Sequence, residues 1–241
     1  MLLSPFQKIT IRKGGRVAFF AESFGVDGFP PVTIACIARN LDAPMRGKTQ
    51  FLRLFGICRY ALEMTPQIAL LRAVNVGGIK VSMTDLKALL VDLGFDDVRT
   101  LLNSGNAVFR SKGTTGADLE QALETEFAKR AGRPTEFFVR TGEEWKSIID
   151  RNPMTDQARR DPGHLLVVVL KRAPSNQEVA SLRAAIAGPE IVQADGKQAY
   201  IYYPAGVGQS KLTSKLIEKH LGSPGTGRNW NTILKLAAMV S

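Results

Sequence analysis

The chain has 241 residues, 44% hydrophobic and 22% charged, which supplies apolar material for one or two compact cores and excludes a composition-driven disordered chain. No apolar run approaches the roughly 18 residues that a bilayer span needs, so a membrane partner is not expected. The net charge of +10 keeps nucleic acid and phosphorylated ligands among the candidate partners, and the plainer reading is a basic, soluble surface.

The first 63 residues differ from the rest. They hold nine Lys/Arg against four Asp/Glu, whereas residues 64–241 hold twenty-three against eighteen. Both cysteines, Cys36 and Cys58, lie here without a neighbouring Cys/His cluster, which argues against a disulfide framework or a metal site and for a cytoplasmic setting. Apolar pieces such as Val17–Phe20 and Val32–Ile37 are broken by Gly14-Gly15 and Gly28-Phe-Pro-Pro31, and no period persists. The expectation is that residues 1–63 are a non-native or disordered N-terminal extension and that Met64 opens the domain. An Arg-rich, acid-poor targeting segment is the competing reading.

From Met64 the pattern is regular. Ile68–Val74 reads as a buried strand running into a polar turn with Asn75, Gly77 and Gly78. Ser82-Met-Thr-Asp85 is a capping-box variant, followed by a helix with Leu86, Leu89, Leu90 and Leu93 inward and Gly94 at its end. Val98–Leu102 and Ala107–Arg110 form a hairpin around Asn103-Ser-Gly-Asn106. Thr115 is the expected cap of a long helix closed by Gly132, and Thr135–Arg140 is a fourth strand. The order βαββαβ predicts a ferredoxin-like subdomain over residues 64–152, with a further helix over Gly142–Asn152.

Met154–Pro162 reads as a polar linker into a second subdomain over residues 153–241. Leu165–Leu170 is a central strand, and Ser175-Asn-Gln-Glu178 is a full capping box before a helix. Ile191-Val192 and Ala199–Tyr203 flank an Asp195-Gly196 turn, and helices over Leu212–Leu221 and Asn229–Met239 finish the chain. The fold class is therefore α+β, a ferredoxin-like βαββαβ subdomain followed by a second α/β subdomain of related topology.

Three polar segments stand out. The turn at Asn75–Lys80 lets a backbone approach an anion at Gly77 and Gly78, with Arg72 or Lys80 adding charge; it matches neither a dinucleotide fingerprint nor a P-loop, and a tight turn is the simpler reading. Asn103–Asn106 offers hydrogen bonds, though such runs are commonly turn chemistry alone. Arg228-Asn-Trp-Asn-Thr232 reads as a helix N-terminus rich in polar groups, with Trp230 either a stacking face or part of the core. His164 and His220 have no nucleophile beside them, and no H-x-x-x-H, C-x-x-C or G-x-S-x-G occurs. No motif names a cofactor or a catalytic residue.

Ala69-Leu-Leu-Arg-Ala-Val-Asn-Val-Gly-Gly78, Asn103-Ser-Gly-Asn106 and Thr226-Gly-Arg-Asn-Trp-Asn-Thr232 together resemble the bacterial family known as domain of unknown function 1697. The resemblance covers about residues 66–240 and implies an α+β cytosolic protein in two subdomains with no established activity. Ala73 stands where a Gly is usual, and Gly227 where an Ala is usual. The residues it singles out are Arg72, Asn75, Gly77, Gly78, Asn103, Ser104, Gly105, Asn106, Lys211, Arg228, Asn229, Trp230, Asn231 and Thr232. All but Gly105 and Trp230 are expected to face one cleft between the subdomains, where N–H groups, amides and cations would suit a phosphorylated small molecule or nucleotide. The alternatives are single-stranded nucleic-acid binding through the sheet aromatics, Tyr200 and Tyr202 sharing a face, and a structural subunit without a ligand.

Overall fold

The structure, a computed structural model of the full chain, describes residues 18–22, 33–37, 64–72, 82–102 and 104–240. The chain divides into two units, residues 1–58 and 59–241. In the first, strands β1 (Ala18–Glu22) and β2 (Thr33–Ile37) pair antiparallel, Ala18 opposite Ile37. These are the two apolar pieces singled out above; the remainder of residues 1–58 lies outside the described residues.

The second unit begins with β3 (Met64–Leu71), which alternates its buried side chains between two sheet faces: Ala69 and Leu71 one way, Ile68 and Leu70 the other. Helix α1 (Met83–Asp92) starts where Ser82 Oγ accepts the Asp85 amide at 3.0 Å, an interaction worth about 1 kcal/mol to a helix start. Strands β4 (Asp96–Leu101) and β5 (Asn106–Lys112) form the expected hairpin. Helix α2 (Gly116–Ala131) ends at Gly132, whose φ of 67° is the left-handed C-cap conformation glycine adopts freely. Thr115 occupies the N-cap position but makes no side-chain cap bond, contrary to expectation. Strand β6 (Phe137–Thr141) completes a four-stranded antiparallel sheet in the order β4-β5-β3-β6, the arrangement a βαββαβ ferredoxin-like unit requires. Thr141 and Glu144 then form a capping box that starts α3 (Gly142–Asp150).

The segment expected to be a linker contains α4 (Thr155–Arg160), and Met154 before it is 1% exposed. A buried methionine at the entry makes this stretch part of the core, not a tether.

The second half repeats the order: β7 (Leu165–Leu170), α5 (Asn176–Ala185), β8 (Ile191–Asp195), β9 (Gln198–Tyr202), α6 (Ser214–Leu221), β10 (Gly225–Asn229) and α7 (Trp230–Val240). Its sheet runs β10-β7-β9-β8, the same arrangement with its own fourth strand in the same place. The sequence reading placed no strand at 225–229 because Gly-Thr-Gly-Arg-Asn carries no strand propensity. Pairing with β7, Gly225 opposite Leu170 through Asn229 opposite Leu166, makes it one.

Each sheet packs its outer face on its own helix pair. Leu86, Leu90, Leu119, Leu123 and Phe127 close one; Leu182, Ile217 and Leu221 help close the other. The inner faces share one core with α3 and α7, built from Ile68, Leu70, Phe138, Trp145, Val167, Val169, Trp230 and Ile233. Complete burial of a Leu, Ile or Phe contributes about 1.5–3 kcal/mol, so this common core holds the subdomains as one body. Trp145 Nε1 donates to Ile233 O at 3.0 Å and ties α3 to α7 inside it.

Candidate functional site

Strand period decides what β10 offers to the seam. Methyl groups placed on Gly225 and Gly227 would press on Val168 and Leu166 of the outer face. Thr226 and Arg228 therefore point inward, beside Val169 and Val167. Arg228 reaches across to the other sheet. Its Nε donates to Asn106 Oδ1 at 2.5 Å, and its Nη2 to Leu71 O at 3.0 Å and Ser104 O at 2.8 Å. Its Nη1 donates to Thr226 Oγ1 at 2.9 Å and Gly227 O at 2.8 Å. Asn106 is itself held, Nδ2 donating to Leu101 O and Ser104 Oγ, each at 2.8 Å.

Every acceptor in this clasp is neutral. Among the described residues no carboxylate forms an ion pair with Arg228, and the sequence between Arg72 and Ser82 contains no Asp or Glu. Burial alone pulls the guanidinium down to about 10, so it remains charged at neutral pH. The clasp thus places an unneutralised cation at the root of the β4–β5 connection and at the end of β3.

The neighbouring cation is spent differently. Arg72 pairs with Glu136 and, at 2.6 Å, with Glu218, whose other oxygen accepts the Gly225 amide. Burial would lower Arg72, but the Glu136 hydrogen bond and the charges of both carboxylates hold it above its ordinary value. Among the described residues, Arg72 is thus one cation engaged by two carboxylates.

Of the remaining sequence-singled residues, Ser104, Asn106 and Arg228 meet in the clasp. Asn229 and Thr232 pair with each other instead: Asn229 Oδ1 accepts the Thr232 amide at 3.0 Å and its hydroxyl at 2.8 Å, capping α7. Asn231 is exposed on that helix, and Trp230 is in the common core at 6% exposure. Lys211 lines a separate hollow with Glu190 and Ser210, which contains no residue of the clasp. Asn75, Gly77, Gly78 and Asn103 lie outside the described residues.

A second seam cluster escaped the sequence reading. Arg140 on β6 donates to Leu170 O of β7 at 2.5 Å and pairs with Glu120 at 3.5 Å. Lys171 reaches Glu120 at 2.7 Å and Glu124 at 2.8 Å. The same carboxylates accept the β6 amides of Val139 and Phe137, which blocks that sheet edge. The readable signal was Glu120 and Glu124 one turn apart beside Leu119 and Leu123, acids on a face that must be buried.

Tyr200, expected as a stacking platform, is fully buried and donates to Ile148 O at 2.7 Å; burial first, then Asp195, pushes it up to about 12. The sheet-face route to a nucleic acid is closed for that residue by the shared core. His164 pairs with Asp161 at 2.8 Å, and His220 Nδ1 lies 2.8 Å from Ser181 Oγ. Among the described residues no group of three His, Cys, Asp or Glu could hold a metal ion, and no helix is long and apolar enough to cross a membrane.

Fold and clasp define an α+β protein of two βαββαβ units joined through a shared core and a buried arginine. The chain belongs to the family described as Protein of unknown function (DUF1697), whose model matches residues 64–200. It is also similar in structure to the conserved bacterial protein SP0830 from Streptococcus pneumoniae. That likeness has a TM-score of 0.56 at 25% identity, over 74% of this chain and all of the other. No curated protein matches the sequence.

Proposed function

We propose that the protein binds a phosphorylated small molecule or nucleotide at the seam between its two βαββαβ units, over the Arg228 clasp, in the cytoplasm. The observation that carries this reading is a buried cation with no carboxylate partner among the described residues. Keeping an ion out of water costs several kcal/mol even after relaxation, and neutral carbonyls recover only part of that. An anion seated above Arg228 supplies the missing charge. Arg228 contributes potential and not a contact, since its donors are all occupied. Among the described residues the contacts fall to groups at the end of the β4–β5 connection, Ser104 first. Asn231 and Lys211 have no part in this version of the site.

A second reading is favoured by the completeness of the clasp. Six neutral acceptors surround one guanidinium, which is what a purely structural fastener between the subdomains would show. Calorimetric titration of the full chain with pyrophosphate, AMP and ATP separates the two. Binding by wild type and a loss of at least tenfold in Arg228→Gln supports the anion site. No heat from any of the three, with Arg228→Gln less stable than wild type, leaves the fastener alone.

A further inference from the structure

The hollow that takes Lys211 away from the seam has its own chemistry. It measures about 220 Å³ and is walled by the end of α5 and the loop after it, with Ala185, Ile186 and Pro189 facing Leu216 of α6. A volume of that size suits a compact molecule of a few carbon atoms with polar ends.

Glu190 and Ser210 provide one of those ends. The Ser210 hydroxyl donates to Glu190 Oε1 and accepts the Leu212 amide at 2.9 Å, so it fixes the carboxylate's orientation. Glu190 Oε2 accepts no hydrogen bond from the described residues, and no cation among them forms an ion pair with it. That oxygen lies directly over Gly188, where any side chain would collide with it. Lys211, exposed and without an ion-pair partner among the described residues, stands on the wall of the same hollow as a cation.

A carboxylate oriented by Ser210, an apolar wall and an ammonium on the same hollow describe a receptor for a small molecule that carries both charges. We propose that this hollow binds an amino-acid-sized zwitterion, its ammonium group on Glu190 and its carboxylate toward Lys211. An ammonium on Glu190 adds ion-pair attraction to a charge-assisted hydrogen bond, whereas a hydroxyl supplies the hydrogen bond alone. The site is independent of the seam, and none of its walls is a clasp residue.

The test is calorimetric titration of the full chain with a panel of free α-amino acids and their decarboxylated amines. At least one amino acid should bind with a dissociation constant below about 1 mM, which is roughly 4 kcal/mol of binding free energy. Glu190→Gln should weaken it tenfold or more. Lys211→Met should weaken the amino acid but leave its decarboxylated amine unchanged, and Arg228→Gln, if folded, should alter neither. The proposal is overturned if no compound in the panel binds, if Glu190→Gln binds as well as wild type, or if that variant gains affinity for phosphate in this hollow.

Discussion

Two arginines cross the seam in opposite directions, and their surroundings differ. Arg140 reaches from the first sheet to Leu170 O of the second, and Arg228 reaches from the second sheet to Leu71 O of the first. Burial lowers Arg140, while Glu120 and then Glu144 pull it back; burial lowers Arg228 with no carboxylate to oppose it. At one end of the seam two cations and two carboxylates neutralise each other; at the other a lone cation rests on carbonyls and amide oxygens. The first arrangement needs nothing further. The second leaves its charge uncompensated among the described residues, and that difference is the reason for locating an anion there.

The largest effect should come from breaking the uncompensated end. Arg228→Ala takes the donor from the Leu71 carbonyl and the Asn106 amide oxygen, both buried, and from the partly buried carbonyls of Ser104 and Gly227. We expect a loss of about 4 kcal/mol in urea unfolding. At the compensated end, Glu120→Gln should cost about 3 kcal/mol, because it leaves Arg140 and Lys171 short of their shared carboxylate. A loss under about 1 kcal/mol in Glu120→Gln would remove the contrast between the two ends.

Smaller changes sharpen how β10 delivers Arg228. A methyl at Gly225 meets Val168 and Leu170, both buried, and has the Val169 carbonyl at 3.4 Å; at Gly227 it meets only the Leu166 side chain, which is partly exposed and can move. Gly225→Ala should therefore cost about 1–3 kcal/mol, and Gly227→Ala should stay within about 1 kcal/mol of wild type. Reversal of that order would mean that the strand's facing is misassigned. The smallest effect is a pH dependence away from the seam. Glu178 is held at about 2, against an ordinary 4.5, first by the Arg172 hydrogen bond and then by the Ser175 amide. A folded pKa below the unfolded one stabilises above the unfolded value and is lost as pH falls. The stability difference between wild type and Glu178→Gln should be full above pH 4.5 and should close toward pH 2.

Local signals carried much of the architecture. Ser82 and Ser175 cap their helices as their spacing indicates, and Leu165–Leu170 is the central strand that its apolar run predicts. Phe137 and Phe138 fall on opposite faces, as alternation demands. Strand β10 was illegible because its identity comes from β7, a partner some sixty positions away, and not from its own residues. The same holds for the clasp. The sequence marks Asn106 and Arg228 as unusual, but only the shared core brings an amide 122 positions away within reach of the guanidinium. Lys211 illustrates the limit of a motif, which groups residues by order along the chain: it lines a hollow that contains no clasp residue.

The most direct test of the uncompensated-cation account is urea unfolding of the full wild-type chain and of Arg228→Gln across a pyrophosphate series. A ligand confined to the folded state adds about 2.7 kcal/mol at a hundredfold excess over its dissociation constant. The account predicts that wild-type stability climbs with pyrophosphate in that manner while Arg228→Gln stays flat. Equal gains in both proteins, or no gain in either, would contradict it.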